Sequence, residues 1–264
     1  ASTGVGARVY TNLKAGGFDG PIYPINPKYD TLSGQTCFAR IADIEAPVDL
    51  AVVATPAATV PEIIGQCADA GIHNVIVLSA GFGEGGEAGE RLARQLLDTA
   101  QREGVRIMGP NCVGLVRPHL GLDATFLRST TPPGSLALVS QSGALCSAIS
   151  DWAEPHHLGF SALVSLGNSL DVDFGDVIDF LANDPKTRAI LLYVEGVRDA
   201  KAFLSALRRA TQTKPVVVLK TGRHQQSSEA AHTHTGALIG NDDVFDAALS
   251  RAGAVRVQGF GQVV

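Results

Sequence analysis

The feature that most constrains this chain is the regular alternation of short, continuously apolar runs with longer amphipathic stretches. Runs rich in Val, Ile and Leu predict strands over 21–25, 48–54, 74–79, 105–108, 135–140, 160–166, 188–195 and 215–220. Unbroken apolar character means that both faces of such strands are covered, as in parallel sheets. Helical periods fall between them, over 6–15, 60–70, 87–103, 144–153, 176–183, 199–211 and 243–252. In 87–103, Leu92, Leu96, Leu97 and Ala100 recur at three-to-four spacing, while Glu90, Arg94, Gln101 and Glu103 occupy other faces. Strand and helix in turn predict a doubly wound α/β architecture, with parallel sheets and helices on both faces.

The alternation lapses once. Gly109-Pro110-Asn111-Cys112-Val113-Gly114 opens an irregular stretch that ends at Thr131-Pro132-Pro133-Gly134, where prolines cluster. This places a boundary near 125–134 and divides the chain into domains 1–128 and 129–264, each of ordinary domain size. Thr3-Gly4-Val5-Gly6 opens a helix with only Ala1-Ser2 before it, although a nucleotide-binding glycine turn normally follows a buried central strand. The expectation is that a first strand is missing and that the chain, which stops just after the strand-like 254–257, is a fragment of a longer protein.

Composition removes several function classes. The net charge of −5 is spread without blocks and leaves no nucleic-acid footprint. No apolar run approaches the ~20 residues of a membrane span, and no secretion signal is visible at the start. Cys37, Cys67, Cys112 and Cys146 lie far apart with no CxxC. That spacing argues against a disulfide framework or a zinc site and fits a reducing, cytoplasmic setting.

The candidate chemistry lies at strand ends. Gly4-Val5-Gly6 at a helix start lets N–H groups approach a phosphate, although a tight turn alone explains it as well. Asn26-Pro27-Lys28, Thr55-Pro56-Ala57 and Ser79-Ala80-Gly81-Phe82-Gly83-Glu84-Gly85-Gly86 follow successive predicted strands, at the carboxyl edge where open α/β sheets bind ligands. Ser140-Gln141-Ser142-Gly143 joins a strand to a helix and suits either a cap or an anion. Glu195 ends another apolar strand. His232 and His234 are spaced as metal ligands on one strand face would be, but no third ligand lies nearby, so no metal is expected. A histidine that carries phosphate, with one ring nitrogen held by a carboxylate, is the alternative, and a plain loop histidine also fits. Cys112 has no base beside it in sequence and reads as structural. A complete GxGxxG and an acidic residue after the second strand, which an NAD enzyme wants, are not found.

Taken in order, Tyr23-Pro24-Ile25-Asn26-Pro27-Lys28, Met108-Gly109-Pro110-Asn111-Cys112-Val113-Gly114, Ser140-Gln141-Ser142-Gly143-Ala144 and His234-Thr235-Gly236-Ala237-Leu238 form a specific series. It resembles the NDP-forming acyl-CoA synthetases, relatives of the succinyl-CoA synthetase α subunit, over nearly the whole chain. The resemblance implies a Rossmann-like CoA-binding domain followed by a flavodoxin-like ligase domain. It implies that His234 is the phosphorylated histidine and Glu195 the carboxylate that orients it. Ser140, Gln141, Ser142, Gly143, Thr235 and Gly236 would stabilise the phosphoryl group. Thr3, Gly4, Val5, Gly6, Asn26, Pro27, Lys28, Thr55, Pro56, Ser79, Gly81, Asn111 and Cys112 would hold CoA or acyl-CoA. The implied chemistry runs through an acyl phosphate and a phosphohistidine. ADP or ATP and Mg2+ would sit on an ATP-grasp domain or β subunit that this sequence does not contain, in an oligomeric assembly. Asp151-Trp152-Ala153, 166–173 and 189–194 are also similar to the N-terminal region of bacterial protein lysine acetyltransferases. That similarity implies, as the alternative, an acyl-CoA-sensing region fused to an acetyltransferase domain.

Overall fold

The computed structural model describes residues 4–220 and 242–259. A three-stranded parallel sheet carries the first half. It runs β3 (Ala51–Val53), β4 (Asn74–Val77), β5 (Arg106–Met108), after a small antiparallel hairpin, β1 (Thr31–Leu32) and β2 (Gln35–Thr36). Helices α2 (Val60–Asp69) and α3 (Gly86–Glu103) make the crossovers and pack on each other. Their apolar stripes, Val60, Ile64 and Cys67 from one and Leu96 and Ala100 from the other, bury against Val75, Val77 and Ile107 of the sheet. Helix α1 (Val5–Ala15) begins the described chain.

The second half builds a seven-stranded sheet. It comprises β6 (Gly114–Arg117), β7 (Leu122–Thr125), β8 (Pro133–Ser140), β9 (Phe160–Ser165), β10 (Ala189–Val194), β11 (Val216–Lys220) and β12 (Val255–Val257) in the order β12-β11-β10-β8-β9-β6-β7. The five strands from β8 onward pair in parallel, and β6 and β7 add an antiparallel edge. Numbered from β8, the parallel strands follow the 2-1-3-4-5 order of flavodoxin-like sheets. Every residue of β9 is buried, as are Ala137, Leu138 and Val139 of β8, so burial does not alternate along these runs; the two buried serines of β9 are bonded, Ser161 with the Thr187 hydroxyl and Ser165 accepting from Val113 N. Helices α4 (Gly143–Ala153), α5 (Phe174–Asn183), α6 (Ala200–Ala210) and the helix Asp242–Ala252 cover the faces.

Two sequence expectations need correction. Residues 21–25 form no strand; Ile25 makes only an isolated bridge to Phe38. Pro21, Pro24 and Pro27 deny this segment the donors a ladder requires. The stretch read as irregular after Met108 contains β6 and β7, both joined to the second sheet. The helices and the other strands lie within one to three residues of their expected bounds.

The halves are sewn together. One apolar cluster includes Val9, Ile76 and Met108 together with Val139, Val164 and Leu192. The Asn12 amide donates to Thr125 O and Leu127 O, both at 2.9 Å, and fixes α1 to the edge of the second sheet. Arg106 pairs with Asp171 at 3.0 Å and Asp176 at 3.3 Å. The turn at 109–111 packs backbone to backbone against Gly167, which adopts φ +56. A Cβ there would lie 2.3 Å from Pro110 O, so the close approach demands glycine.

Candidate functional site

Both sheets direct their carboxyl edges at one cavity of about 590 Å3 between the halves. That size suits a small-molecule site. From the first half it is lined by Val5 at the start of α1, Thr55 after β3, Ser79 after β4, and Asn111 and Cys112 after β5. From the second half come Gln141, Ser142 and Gly143 after β8, Gly167 and Asn168 after β9, and Glu195 after β10. The second set straddles the β8/β10 pair, the point where strand order reverses and where such sheets hold ligands.

Three devices shape the second wall. The Gln141 amide clamps the end of β10: its Oε1 accepts from Glu195 N at 2.7 Å and Gly196 N at 3.0 Å, and its Nε2 donates to Gly196 O at 3.0 Å. This sets the backbone from which the half-buried Glu195 carboxylate projects. The Ser140 hydroxyl is spent on its own turn, donating to Ser142 O and accepting from Ser142 N. The Ser142 hydroxyl caps α4 by accepting from Leu145 N at 3.3 Å. The N–H groups of Gly143 and Ala144, on the first turn of α4, have no partner among the described residues and belong to cavity-lining residues. They form the positive end of the helix, suited to an anion. A Cβ at Gly143 would come within 2.6 Å of Val113 Cγ2, so a larger residue there needs Val113 to shift.

The first wall is polar at its rim. Ser79 Oγ donates to Thr55 O at 2.6 Å, and Asn111 N donates to Ser79 O at 2.9 Å. Asn111 Nδ2 reaches Asn168 Oδ1 at 3.3 Å, and Asn168 Nδ2 donates to Glu84 Oε2 at 2.9 Å, which bridges the halves. Burial works to raise the Glu84 carboxyl, but hydrogen bonds from Gly81 N and Asn168 outweigh it and hold it below its ordinary value. Cys112 is buried against Val77 O, and burial pushes its thiol up to about 12. It is a neutral wall residue, not a nucleophile.

The cavity therefore gathers Val5, Thr55, Ser79, Asn111, Cys112, Gln141, Ser142, Gly143 and Glu195 from the sequence candidates. Gly4, Gly6, Pro56, Gly81 and Ser140 flank it without lining it. Asn26, Pro27 and Lys28 lie off it in an exposed turn, where Asn26 Oδ1 accepts from Lys28 N. Thr3, His234, Thr235 and Gly236 lie outside the described residues. Sequence reasoning missed Asn168 as a lining residue, and it placed Glu84 inside the 79–86 loop without giving it a role of its own. Asn168 follows β9 at the same carboxyl edge, so strand position alone was enough to find it. Among the described residues no three His, Cys, Asp or Glu gather as metal ligands, and no helix is long and apolar enough to cross a membrane.

Residues 2–118 match a CoA binding domain and residues 133–264 a succinyl-CoA ligase like flavodoxin domain. The chain is 38% identical to an ADP-forming acetate–CoA ligase of Methanocaldococcus jannaschii, over 98% of its own length and 36% of the relative's. It is 39% identical to the α subunit of ADP-forming acetate–CoA ligase I of Pyrococcus furiosus, over 98% and 57%. It thus spans only part of these relatives. A solved structure of a dinucleotide forming acetyl-coenzyme A synthetase from Ca. Korarchaeum cryptofilum, in complex with phosphate and ADP, superposes with a TM-score of 0.94 at 34% identity. That match covers 99% of this chain and 57% of the other.

Proposed function

We propose, from the premise that this chain belongs to the NDP-forming acyl-CoA synthetases, that it is the CoA-binding and phosphohistidine portion of such an enzyme. The observation that carries the reading is the shared cavity, which sets the Thr55, Ser79 and Asn111 loops opposite the α4 N-terminus and Glu195. Residues 1–128 supply the CoA wall and 129–264 the transfer wall. In the direction of acyl-CoA consumption, phosphate attacks the thioester carbonyl and the CoA thiol leaves, giving an acyl phosphate. A ring nitrogen of His234 then attacks phosphorus and the free acid departs. The phosphoryl group next passes to ADP on an ATP-grasp domain or β subunit that also holds Mg2+.

The chain's own residues bind and orient. The Gly143 and Ala144 N–H groups offset the charge of the moving phosphoryl group, a helix terminus being worth roughly 0.3–1 kcal/mol when exposed and up to ~2 when partly buried. Glu195 holds the far ring nitrogen of His234, and Gln141 holds Glu195. Transfer of this kind needs positioning more than covalent assistance. Thr235 and Gly236 complete the phosphoryl surroundings. Thr3, Gly4, Gly6, Asn26, Pro27, Lys28 and Pro56 extend the CoA site toward its nucleotide end. The setting is cytoplasmic and the assembly oligomeric. The ligase relatives favour turnover over an acyl-CoA-sensing role beside an acetyltransferase domain.

The test is to incubate the full-length protein and its ATP-grasp partner with radiolabelled ATP and magnesium. Acid-labile label is expected on the wild type, absent from His234→Ala and much reduced in Glu195→Gln. No acid-labile label on the wild type, or equal label on His234→Ala, rejects the reading.

A further inference from the structure

The cavity's hydrogen-bond polarity is set from outside it. Glu84 stands in the loop after β4 and lines no part of the cavity, yet it heads a chain of three side chains that ends there. An ionised carboxylate only accepts. Glu84 takes one hydrogen bond from Gly81 N and one from Asn168 Nδ2. Its carboxyl is held below the usual range by those same bonds, so it stays ionised near neutral pH. Asn168 must therefore present Nδ2 to Glu84 and Oδ1 to Asn111. Asn111, whose backbone adopts φ +56 and donates its N–H to Ser79 O, must in turn donate with Nδ2. Its Oδ1 is left without a protein partner among the described residues, on a residue that lines the cavity. An amide freed from this chain could turn over and offer N–H instead, because its oxygen acceptor and NH2 donor are similar in size and exchange places on a half-turn of the group.

We propose that Glu84 is a positioning residue of the CoA site, fixing Asn168 and through it Asn111, so that Asn111 Oδ1 accepts from an amide N–H of the pantetheine arm. The proposal rests on the CoA-binding reading of this cavity. It assigns Glu84 no contact with the ligand. Its influence passes across the junction between the halves, since Glu84 belongs to the first and Asn168 to the second.

The reversal of the chain supplies the test. CoA affinity is measured by calorimetry on the full-length protein with its ATP-grasp partner. Glu84→Gln lets Asn168 turn over and exposes a donor where an acceptor stood, and a lost hydrogen bond corresponds to a Kd raised roughly three- to tenfold. Asn111→Asp puts a carboxylate against Asn168 Oδ1 and weakens binding by a similar factor. In the double variant the amide at position 84 donates to Asn168 Oδ1, Asn168 Nδ2 donates to the carboxylate at 111, and an acceptor again faces the ligand. The double variant is expected within about threefold of the wild type, a rescue that a merely structural role would not produce. Desulfo-CoA, which keeps both amide N–H groups and lacks the thiol, is expected to show the same pattern. Multiplying penalties, an unchanged Kd for Glu84→Gln, or a penalty that vanishes with desulfo-CoA overturns the proposal while the CoA reading stands. A wild type that binds no CoA overturns the reading itself.

Discussion

Gln141→Ala removes the clamp between β8 and β10 at the reversal of strand order. Three hydrogen bonds are lost, from Glu195 N, Gly196 N and to Gly196 O. Each contributes roughly 0.5–1.5 kcal/mol net, and an unmatched buried group costs more than an exposed one. Gly196 is buried and Glu195 half-buried, so water replaces only part of the loss. The expected destabilisation is about 2 kcal/mol, roughly a 30-fold change in the folding equilibrium. Urea unfolding reads this as a lower midpoint with an unchanged slope, since the fold and its buried surface are retained. Acid-labile labelling is expected to fall as well, because the backbone that aims Glu195 is no longer fixed. Gln141→Glu separates the two effects. It keeps an acceptor for both N–H groups, so it costs less stability than alanine, yet it sets a second carboxylate beside Glu195 and depresses labelling at least as far. Wild-type stability in Gln141→Ala would refute the energetic reasoning. Reduced stability with labelling unchanged in both variants would refute the positioning role.

Three further outcomes follow from the same geometry. Gly143→Ala forces a Cβ to within 2.6 Å of Val113 Cγ2 and is expected to cost about 1–3 kcal/mol in urea unfolding; Val113→Ala in the same chain should return part of it, and no return would mean the clash is not the cause. Cys112 and Cys146 are each pushed up to about 12, and Cys67 to about 11, by burial, so a thiol reagent at pH 8 should label none of them until denaturant is added; rapid labelling of Cys112 in the native protein would contradict its role as a wall residue. Arg117 and Asp184 form an ion pair at 3.2 Å with both side chains largely buried, and Arg117→Ala is expected to cost roughly 3 kcal/mol. For Asp184, burial works to raise the carboxyl, but the Thr187 hydroxyl, Lys186 N, Arg117 and Lys214 outweigh it and leave it below its ordinary value. A depressed folded value stabilises above the unfolded pKa of about 3.9 and is lost as pH falls through the folded one, so the Arg117→Ala penalty should shrink below about pH 4; a penalty that grows there would refute this.

What was legible in the sequence follows from burial. Strands covered on both faces, such as β10 and the buried second half of β8, write apolar runs, and α3 writes its stripe across five turns. Strands β6 and β7 are four residues each and only partly buried, with Pro118, His119 and Gly121 between them, so they carry neither signal strongly. The two-residue strands of the 31–36 hairpin bury almost nothing. Helix α5 starts two residues before its apolar period because Asp173 caps it, accepting from Gly175 N and donating its own N–H to Asp176. At the site, strand-end position found Thr55, Ser79, Gln141 and Glu195, because the rule depends on topology alone. It could not show that the Ser140 hydroxyl is consumed by its own turn, nor that an asparagine in one half donates to a glutamate in the other. Those are facts of three-dimensional bonding with no periodic trace in the chain.

The most direct measurement is a crystal structure of the full-length protein with CoA bound. The pantetheine arm is expected between the Ser79 and Asn111 loops and the first turn of α4, its thiol directed toward Glu195, with the His234 ring within hydrogen-bond reach of that carboxylate. CoA seated elsewhere, or an imidazole far from Glu195 with the cavity closed to it, would contradict the account.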